Sequence, residues 1–334
     1  MRGKIIASVV IVGLILVGWF MSHYINVLNE PVVQTKVLLE IEKGDSFDRI
    51  TTKLLAQGLT IDPLWFKLIA MQKKMTNKLK AGEYELTPGL TVPQILTMFA
   101  EAKSKKYTIT FPEGWNLKEL LQQIGNTPNL QKTLQGQSIA ELSTQLGISE
   151  KNPEGWFFPD TYHFEKNTTD ISILKRAHVK MQSVLQQEWD NKDPNLPYKF
   201  PYEALIMASI VEKETGAKHE RAMIAGVFTR RLEKGMLLQT DPTVIYGMGD
   251  SYKGNIRARD LTTATPYNTY VIAGLPPTPI AMPGQDALHA VMHPDKENNL
   301  YFVAKGDGSH YFSATLTEHN HAVDGFQKKK HVHQ

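Results

Sequence analysis

The chain begins with a long apolar segment. Residues 5–21 form a 17-residue run in which Ser8 is the one polar side chain, and Arg2 and Lys4 precede it. A helix of this length is near the shortest that crosses about 30 Å of hydrocarbon. A cleaved signal peptide is the alternative, but residues 22–26 lack the small-x-small cleavage pattern. The pattern therefore predicts a transmembrane anchor over residues 5–24.

The charges that flank this segment predict its orientation. Positive residues stand on its N-terminal side only, so the positive-inside tendency keeps residues 1–4 in the cytoplasm and sends the chain after Tyr24 outward. Trp19 and Phe20 would then lie with Tyr24 at the outer interface. About 300 residues would work outside the inner or plasma membrane. Nucleotide cofactors are scarce there, and in a bacterium the cell-wall polymer is the dominant substrate.

Residues 25–105 have the pattern of a small α+β unit. Ser46 is a candidate N-cap for a helix that Gly58 would end. The lysine-rich segments 73–80 and 103–106 are interpreted as solvated faces. The periodicity predicts a strand, two helices, a strand and a third helix, in that order, over residues 32–41, 47–55, 63–71, 81–86 and 92–100.

Residues 106–327 have the pattern of a larger, mostly helical α+β domain. The tract 235–283 is rich in Gly and Pro, and a loop-rich stretch of that length is more often functional than idle. Residues 328–334, with three lysines and two histidines, are predicted to form a solvated tail. A strand followed by helices is predicted over residues 107–111, 117–124, 139–146, 171–189, 203–215 and 219–234. The predicted fold class is α+β, with an N-terminal transmembrane helix, a small subdomain and a larger mixed domain.

Composition narrows the chemistry that the chain can perform. The absence of cysteine removes disulfides, thiolate catalysis and cysteine metal sites. The 37 Lys and Arg against 34 Asp and Glu give a net charge of +3, far from the polybasic surface that tracks a phosphate backbone. Nucleic acid is therefore not expected as a partner. With 42% hydrophobic residues among 334, the chain can bury a substantial core.

One acidic residue falls on the apolar stripe of a predicted helix. At 100° per residue over 204–215, Glu214 lies between Ile210 and Met207, whereas Glu212 lies off the centre of the stripe. A carboxyl held against apolar neighbours at the C-terminal end of a helix loses hydration and faces the negative end of the helix dipole. Both effects raise its pKa. Glu214 could then act as a general acid near neutral pH.

A structural role is the alternative for Glu214. A buried glutamate can be paired with a nearby arginine, and Arg221 and Arg231 both lie close enough along the chain to provide one. Such a carboxyl would remain charged and would have a structural role in the core instead of a catalytic one. The sequence alone does not decide between these two interpretations.

Two polar and aromatic segments provide candidate contacts for a hydroxyl-rich ligand such as a sugar. Residues 239–246 supply an amide, a carboxylate, hydroxyls and a phenol, and residues 266–270 and 274–280 add a loop that prolines would stiffen. For any one residue, turn formation or helix capping is the alternative. The substrate-binding candidates are Gln239, Asp241, Thr243, Tyr246, Tyr267 and Asn268, followed by Glu212 and His310.

The histidines raise the question of a metal site. His289 and His293 are four residues apart on a predicted helix, a spacing that zinc ligands use. The residue after His289 is Ala290, however, so the His-Glu-x-x-His motif is incomplete. The sequence also lacks a Gly-x-Ser-x-Gly elbow, a phosphate-binding Gly-rich loop and a dinucleotide fingerprint. We therefore expect no catalytic metal and no organic cofactor.

Six motifs follow one another along the chain. They are EGWFFPDTY, ASIVEKET, LQTDPTVIYG, YNTY, GLPP and YFVA, at residues 154–162, 208–215, 238–247, 267–270, 274–277 and 301–304. Together they resemble the endolytic murein transglycosylase family, also called YceG-like, over nearly the whole chain. The resemblance implies a single-pass anchor, a LysM-like subdomain over residues 25–105 and a transglycosylase domain over 106–327. It also implies that Glu214, the second Glu of Glu-Lys-Glu, is the essential acid.

The resemblance further implies the reaction. The family cleaves the β-1,4 bond between N-acetylmuramic acid and N-acetylglucosamine within nascent glycan strands, leaves a 1,6-anhydro end and so terminates elongation. The implied partners are peptidoglycan, the membrane and penicillin-binding proteins. A hydrolytic muramidase and a non-catalytic glycan-binding scaffold are the alternatives. Two positions depart from the family pattern, Thr278 in place of Gly and Arg230 in place of Asn, and both bear on substrate preference rather than on Glu214.

Overall fold

The computed structural model describes residues 2–326, so the predicted tail over residues 328–334 lies outside the described residues. The chain divides into two compact units. One comprises the residues up to Tyr107 together with His163–Asn167, and the other comprises Thr108–Tyr162 and the chain from Thr168 onward. Helices and short strands are mixed along the chain, which confirms the predicted α+β class.

The first helix, α1, spans Arg2–Asn29 and extends past both ends of the predicted span. Its segment Val10–Asn29 has a mean hydropathy of 1.8 and is long and apolar enough to cross a membrane, by length and composition. The side chains of residues 10–22 are exposed, although most of them are apolar. An apolar helix that the rest of the chain leaves uncovered is what the predicted anchor requires.

The first unit contains a two-stranded antiparallel sheet. β1 (Val37–Ile41) pairs with β2 (Gly82–Leu86), and the inward residues of both strands face the core. Ser46 caps the helix after β1 as predicted, because its Oγ accepts a hydrogen bond from Arg49 N at 3.2 Å. The helices are α2 Phe47–Ala56, α3 Pro63–Gln72 and α4 Val92–Ala100. The core is centred on Leu39, Ile50, Leu54, Phe66, Tyr84 and Phe99.

The remaining strands pair two by two. They are β3 (Tyr107–Thr110) with β5 (Thr161–Phe164), β4 (Leu130–Gln131) with β6 (Thr168–Thr169), and β7 (Tyr301–Ala304) with β8 (His310–Ser313). The further helices are α5 Leu117–Asn126, α6 Ile139–Leu146, α7 Asp170–Asp190, α8 Pro201–Glu214, α9 Arg221–Glu233, α10 Asp241–Met248, α11 Ala258–Thr262, α12 Gln285–Met292 and α13 Leu316–Phe326. Helices α10 and α11 lie inside the tract 235–283, which is therefore only partly loop.

Helix α8 forms the centre of the second unit's core. Pro201 stands in its first turn, where a missing backbone N–H costs nothing. Residues 204–211 are all buried, and they pack against α7, α9, α10 and α12. Each large apolar side chain buried in this way contributes about 2 kcal/mol. The helix ends at Glu214 because Thr215 is extended, with φ −144° and ψ 135°. A firmly held helix thus presents Glu214 at its end.

Candidate active site

Glu214 is partly buried at the C-terminal end of α8. Burial raises the pKa of its carboxyl to about 7, and the negative charge of Asp241 acts in the same direction. A hydrogen bond that Thr240 Oγ1 donates to Glu214 Oε1 and the charge of His310 act in the opposite direction. A carboxyl with this pKa holds a proton in about half of the molecules near pH 7. It can therefore both donate and accept a proton under neutral conditions.

A cavity of about 420 Å³ lies beside Glu214. Its wall combines apolar surfaces, which suit the faces of sugar rings, with polar groups, which suit hydroxyls and amides. The wall is supplied by α8, α9, the start of α10 and the segment before it, the loop after α11, β7, β8 and α13. The lining residues are Glu214, Phe228, Arg231, Leu238, Gln239, Asp241, Tyr270, Phe302, Val303, Ala304, His310, His319 and Val323.

His310 is held in this wall by a buried carboxylate. Glu220 Oε2 lies 2.7 Å from His310 Nδ1, and the His310 backbone N donates to Glu220 Oε1 at 2.9 Å. Burial alone would raise the pKa of Glu220, but these hydrogen bonds from His310 hold it below its usual value. Glu220 is therefore a carboxylate that fixes the imidazole through Nδ1. The other ring nitrogen, Nε2, remains for a ligand.

Gln239 and Asp241, which flank Thr240 along the chain, both line the cavity. Gln239 is left-handed, with φ +53°, and its backbone N donates to Thr269 O at 3.1 Å. A non-glycine residue in this region costs about 1–3 kcal/mol and persists only where its surroundings impose it. Tyr270 Oη donates to Asp241 Oδ1 at 2.6 Å. The surroundings thus hold this turn against its conformational preference, next to Glu214.

Comparison with known proteins assigns the family. A profile described as the YceG-like family matches residues 39–325. The chain belongs to the YceG-like family. A relative from Bacillus subtilis strain 168, named endolytic murein transglycosylase, is 32% identical over 340 residues, which cover 95% of this chain and 92% of the relative. A relative of the same name from Streptococcus pneumoniae serotype 2 is 29% identical over 321 residues, 86% of this chain and 58% of its own length.

A solved structure is also similar to this YceG-like chain. It is the crystal structure of a protein from Listeria monocytogenes that is described as YceG-like. The two chains are 30% identical with a TM-score of 0.56, and the match covers 86% of this chain and 98% of the Listeria chain. The shared fold therefore extends over most of both proteins.

Three of the predicted binding residues share the cavity with Glu214. They are Gln239, Asp241 and His310. The other five predicted residues of this YceG-like protein are not among those that line it. They are Thr243, Tyr246, Tyr267, Asn268 and Glu212. Each of these five is engaged with other parts of the protein instead.

Thr243 holds the turn that carries Thr240, and Asn268 holds the C-terminal end of α11. Asn268 is fully buried, and its amide nitrogen donates to three backbone carbonyls, of which that of Thr263 is nearest at 2.7 Å. Thr243 Oγ1 donates to Thr240 O at 2.7 Å and lies 2.8 Å from Thr269 Oγ1. Both side chains therefore hydrogen-bond backbone carbonyls, which is the turn-forming role given above as the alternative to ligand binding.

Tyr246 and Tyr267 pack against each other, with ring centroids 4.8 Å apart. Tyr246 Oη donates to Glu154 Oε2 at 2.9 Å. Burial raises the pKa of Glu154 to about 7 as well, but Glu154 does not line the cavity beside Glu214. Tyr267 Oη lies 2.9 Å from Thr278 Oγ1. Thr278 thus gives Tyr267 a hydroxyl partner that the Gly usual in the family could not provide.

The other departure from the family pattern serves the fold. Arg230 Nε donates to Asn299 O at 2.8 Å, and its guanidinium reaches Asp295 Oδ1 at 3.0 Å. Arg230 is not among the residues that line the cavity. This substitution therefore anchors the segment before β7 rather than altering the surface beside Glu214.

The arginine pairing considered for Glu214 is made by Glu212. Arg221 Nη2 lies 3.0 Å from Glu212 Oε1, and Gly284 N donates to Glu212 Oε2 at 3.0 Å. Arg231 instead donates to backbone carbonyls, including Leu238 O at 3.0 Å. The interpretation of a structural acid paired with an arginine therefore applies to Glu212 rather than to Glu214. Glu214 retains its raised pKa and its place at the cavity.

Three polar lining residues were not predicted as binding residues. Tyr270 lies in the YNTY motif and could have been chosen with Tyr267. Arg231 is predicted above only as an ion-pair partner of Glu214, yet it borders the cavity. His319 comes from α13, and its buried Nδ1 has no hydrogen-bond partner within residues 2–326. The sequence offers no signal for His319, because its position depends on how α13 packs.

Proposed function

We propose that this chain is an endolytic peptidoglycan lytic transglycosylase, a lyase. It cleaves the β-1,4 bond between N-acetylmuramic acid and N-acetylglucosamine in nascent strands, leaves 1,6-anhydro ends and terminates elongation. Membership of the YceG-like family and the names of the Bacillus and Streptococcus relatives support this proposal. One observation carries the chemistry: the carboxyl of Glu214, whose pKa burial raises to about 7, borders a cavity of about 420 Å³.

Glu214 supplies both proton transfers in this proposal. As an acid, it protonates the glycosidic oxygen while the bond from that oxygen to C1 of N-acetylmuramic acid breaks. As the resulting carboxylate, it takes the proton of the C6 hydroxyl while O6 forms a bond to C1. The proton returns to Glu214, no water is consumed, and a second carboxyl is not required. Once a glycan fills the cavity, apolar side chains of the wall, including Phe228 and Phe302, would limit the access of water and so favour ring closure over hydrolysis.

Gln239, Asp241 and His310 hold the glycan in this proposal. The Gln239 amide and the Asp241 carboxylate suit acetamido and hydroxyl groups, and His310 can use Nε2 because Glu220 occupies Nδ1. The other predicted residues do not contact the glycan in this proposal but support the segments that form the cavity. They are Thr243, Tyr246, Tyr267, Asn268 and Glu212, whose contacts position the segments that carry the cavity.

The proposed organisation places the reaction outside the membrane. Residues 5–24 anchor the chain, with residues 1–4 in the cytoplasm, and residues 25–105 form a LysM-like subdomain. Residues 106–327 form the transglycosylase domain, which meets peptidoglycan and the penicillin-binding proteins of the synthesis machinery. The apolar segment Val10–Asn29 supports the anchor, and the charges of Arg2 and Lys4 support the orientation.

Replacement of Glu214 tests the proposal. The full chain in detergent is incubated with uncrosslinked glycan strands, and the products are analysed by mass spectrometry. Glu214→Gln should reduce the formation of anhydro-ended fragments by at least about 100-fold, because the amide can neither give nor take the proton. Glu203→Gln, in the first turn of the same helix, should retain the activity of the unmodified chain.

The same experiment separates the rival functions. A hydrolytic muramidase would give products heavier by one water, and a binding scaffold would retain strands without making new ends. Near-full activity of Glu214→Gln would reject the assignment of the acid.

A further inference from the structure

Helix α3 exposes an apolar face. Leu64, Leu68 and Met71 are 65%, 40% and 57% exposed, whereas Trp65 and Phe66 on the same helix are buried. The spacing i, i+4, i+7 places the three exposed side chains on one side of the helix. A single exposed leucine needs no explanation, but three in line form a patch that suits a partner.

The end of the apolar helix α1 contacts this same helix. The ring centroid of Trp65 lies 5.1 Å from that of Phe20, 5.2 Å from that of His23 and 5.9 Å from that of Tyr24. Tyr24 Oη donates a hydrogen bond to Gln72 Oε1, at the C-terminal end of α3. Both ends of α3 are therefore attached to the last turns of the segment that is apolar enough to cross a membrane.

Lysines accompany the exposed apolar face. Lys67 lies within α3, and Lys73, Lys74 and Lys78 follow it, all exposed. Each basic residue near an anionic membrane surface contributes about 1 kcal/mol to binding. An apolar helix face next to basic side chains is the pattern of a helix that lies in a membrane interface.

We propose that the face formed by Leu64, Leu68 and Met71 lies in the lipid interface of the membrane that α1 crosses. The partner is the bilayer itself, because α3 is joined to the end of the apolar span rather than lying far from it. The proposal rests on the proposed anchor. It gives the first unit a second attachment to the bilayer and restricts its orientation relative to the membrane.

The absence of cysteine permits a clean test by spin labelling. Single variants Leu64→Cys and Leu68→Cys of the full chain are labelled and reconstituted into vesicles of phosphatidylethanolamine and phosphatidylglycerol. Leu55→Cys on α2 is the matched control, because Leu55 is 40% exposed like Leu68. Leu14→Cys on α1 reports whether the anchor has inserted. The accessibility of each label to oxygen and to a water-soluble nickel chelate is measured.

The labels at positions 64 and 68 should be relaxed by oxygen and protected from the nickel chelate, and the label at position 55 should show the reverse. A lipid-exposed label at position 14 with water-exposed labels at 64 and 68 would reject the docking of α3 alone. A water-exposed label at position 14 would reject the anchor, and with it this proposal.

A separate cluster of side chains joins α7 to α12. Glu188 on α7 and His289 and His293 on α12 or at its end each offer a ligand atom, and these atoms lie within 4.8 Å of one another. His289 Nδ1 lies 2.9 Å from Glu188 Oε2. Ligand atoms around a tetrahedral Zn²⁺ with bonds of 2.0–2.1 Å are about 3.4 Å apart. Small side-chain rotations would therefore close the cluster around an ion.

The surroundings of the cluster fit a cation. Asp193 Oδ1 lies 3.1 Å from His293 Nδ1, which leaves Nε2 of that ring for a ligand. A carboxylate on the far nitrogen is the usual support of a zinc-bound histidine. Glu188 is 7% exposed, so its carboxylate is held in the interior beside the two imidazoles.

We infer that Glu188, His289 and His293 bind one Zn²⁺, with Asp193 as the residue that orients His293. The ion would tie the end of α7 to α12, which packs against α8. None of the four side chains lines the cavity beside Glu214, so the ion would lie apart from the proposed reaction, and water would complete its four ligands. It leaves the expectation of a metal-independent reaction unchanged.

Equilibrium dialysis of the full chain in detergent against ZnCl₂, after treatment with a chelator, tests this site. We expect one zinc per chain, a higher Tm with zinc, and loss of both effects in His289→Ala and His293→Ala. Asp193→Asn should weaken binding by about 10- to 100-fold. His321→Ala and the tail variant His331→Ala with His333→Ala should bind as the unmodified chain does. The absence of binding at micromolar zinc, or binding that only the tail variant removes, would overturn the inference.

Discussion

Glu212 and Glu214 are two residues apart on α8, so their side chains leave the helix about 200° apart and meet different surroundings. Burial raises the pKa of the Glu212 carboxyl too, but the backbone N of Gly284 and the guanidinium of Arg221 oppose that rise and compensate its charge. Glu214 meets the hydroxyl of Thr240 and the cavity, where burial favours the neutral form. The difference between a structural acid and a proton donor thus comes from charge compensation, since the residue type and the helix are the same.

Removal of the Thr240 hydroxyl should move the pH dependence of the reaction. The hydrogen bond to Glu214 lowers the pKa of that carboxyl, so Thr240→Val should raise the pKa further. The alkaline limb of kcat/KM should move upward by about half a pH unit to one pH unit, as expected for one hydrogen bond. Thr240→Ser keeps a hydroxyl and should retain the original profile. If Thr240→Val and the unmodified chain had the same pH profile, the Thr240 hydroxyl would not control the pKa of Glu214.

Glu214 should make the fold less stable at high pH. The ordinary pKa of a glutamate carboxyl is 4.5 and that of Glu214 in the folded protein is about 7, so between these values the folded protein retains a proton that the unfolded chain has lost. The free energy of unfolding should therefore fall as the pH rises through this range, by up to about 3 kcal/mol. Glu214→Gln should have a higher Tm than the unmodified chain at pH 8 and a similar Tm at pH 4. An equal gain at both pH values would indicate a cause other than charge burial.

Helix α8 is joined to its neighbours by a polar contact as well as by apolar packing. Arg221, the first residue of α9, pairs with Glu212 near the end of α8. Glu212 also accepts from Gly284 N, at the N-cap of α12. Three helices therefore meet at one buried carboxyl. Because the Glu212 carboxyl is shared by these helices, removal of one of its partners leaves a buried charge without full compensation.

Arg221→Met should destabilise the second unit strongly. It leaves the Glu212 carboxylate buried without its cation, which costs about 3–5 kcal/mol. The double variant Arg221→Met with Glu212→Gln should recover at least about half of that loss, because the neutral amide can still accept from Gly284 N. Chemical unfolding of the full chain in detergent measures both. If the double variant loses as much as the sum of the single variants, the pair is not coupled.

The features of this protein that depend on a local sequence pattern could be predicted from the sequence alone. The helical stripe singled out Glu214, which borders the cavity, and the cap at Ser46 followed from residue type and spacing alone. The composition of the cavity wall depends on packing between distant segments, so Asn268 was predicted as a ligand although its amide holds three backbone carbonyls. His319 was missed for the same reason, because only the packing of α13 brings it to the cavity.

The motifs 154–162 and 274–277 are far apart in the chain, but Gly155 of the first contacts the segment that follows the second. A Cβ on Gly155 would lie 2.5 Å from Pro279 Cβ and Cγ, and the residue has φ +82°. Gly155→Ala should lower the free energy of unfolding by about 2–4 kcal/mol, from left-handed strain and overpacking together. Since Ile280 N donates to Ser209 Oγ on α8, displacement of this loop should also lower kcat.

Gly147→Ala is the control for this prediction. Gly147 has a similar φ of +72°, but a Cβ there would meet nothing within 4 Å, so the substitution should cost only about 1 kcal/mol. Equal losses in the two variants, measured by chemical unfolding, would show that the contact with Pro279 is unimportant.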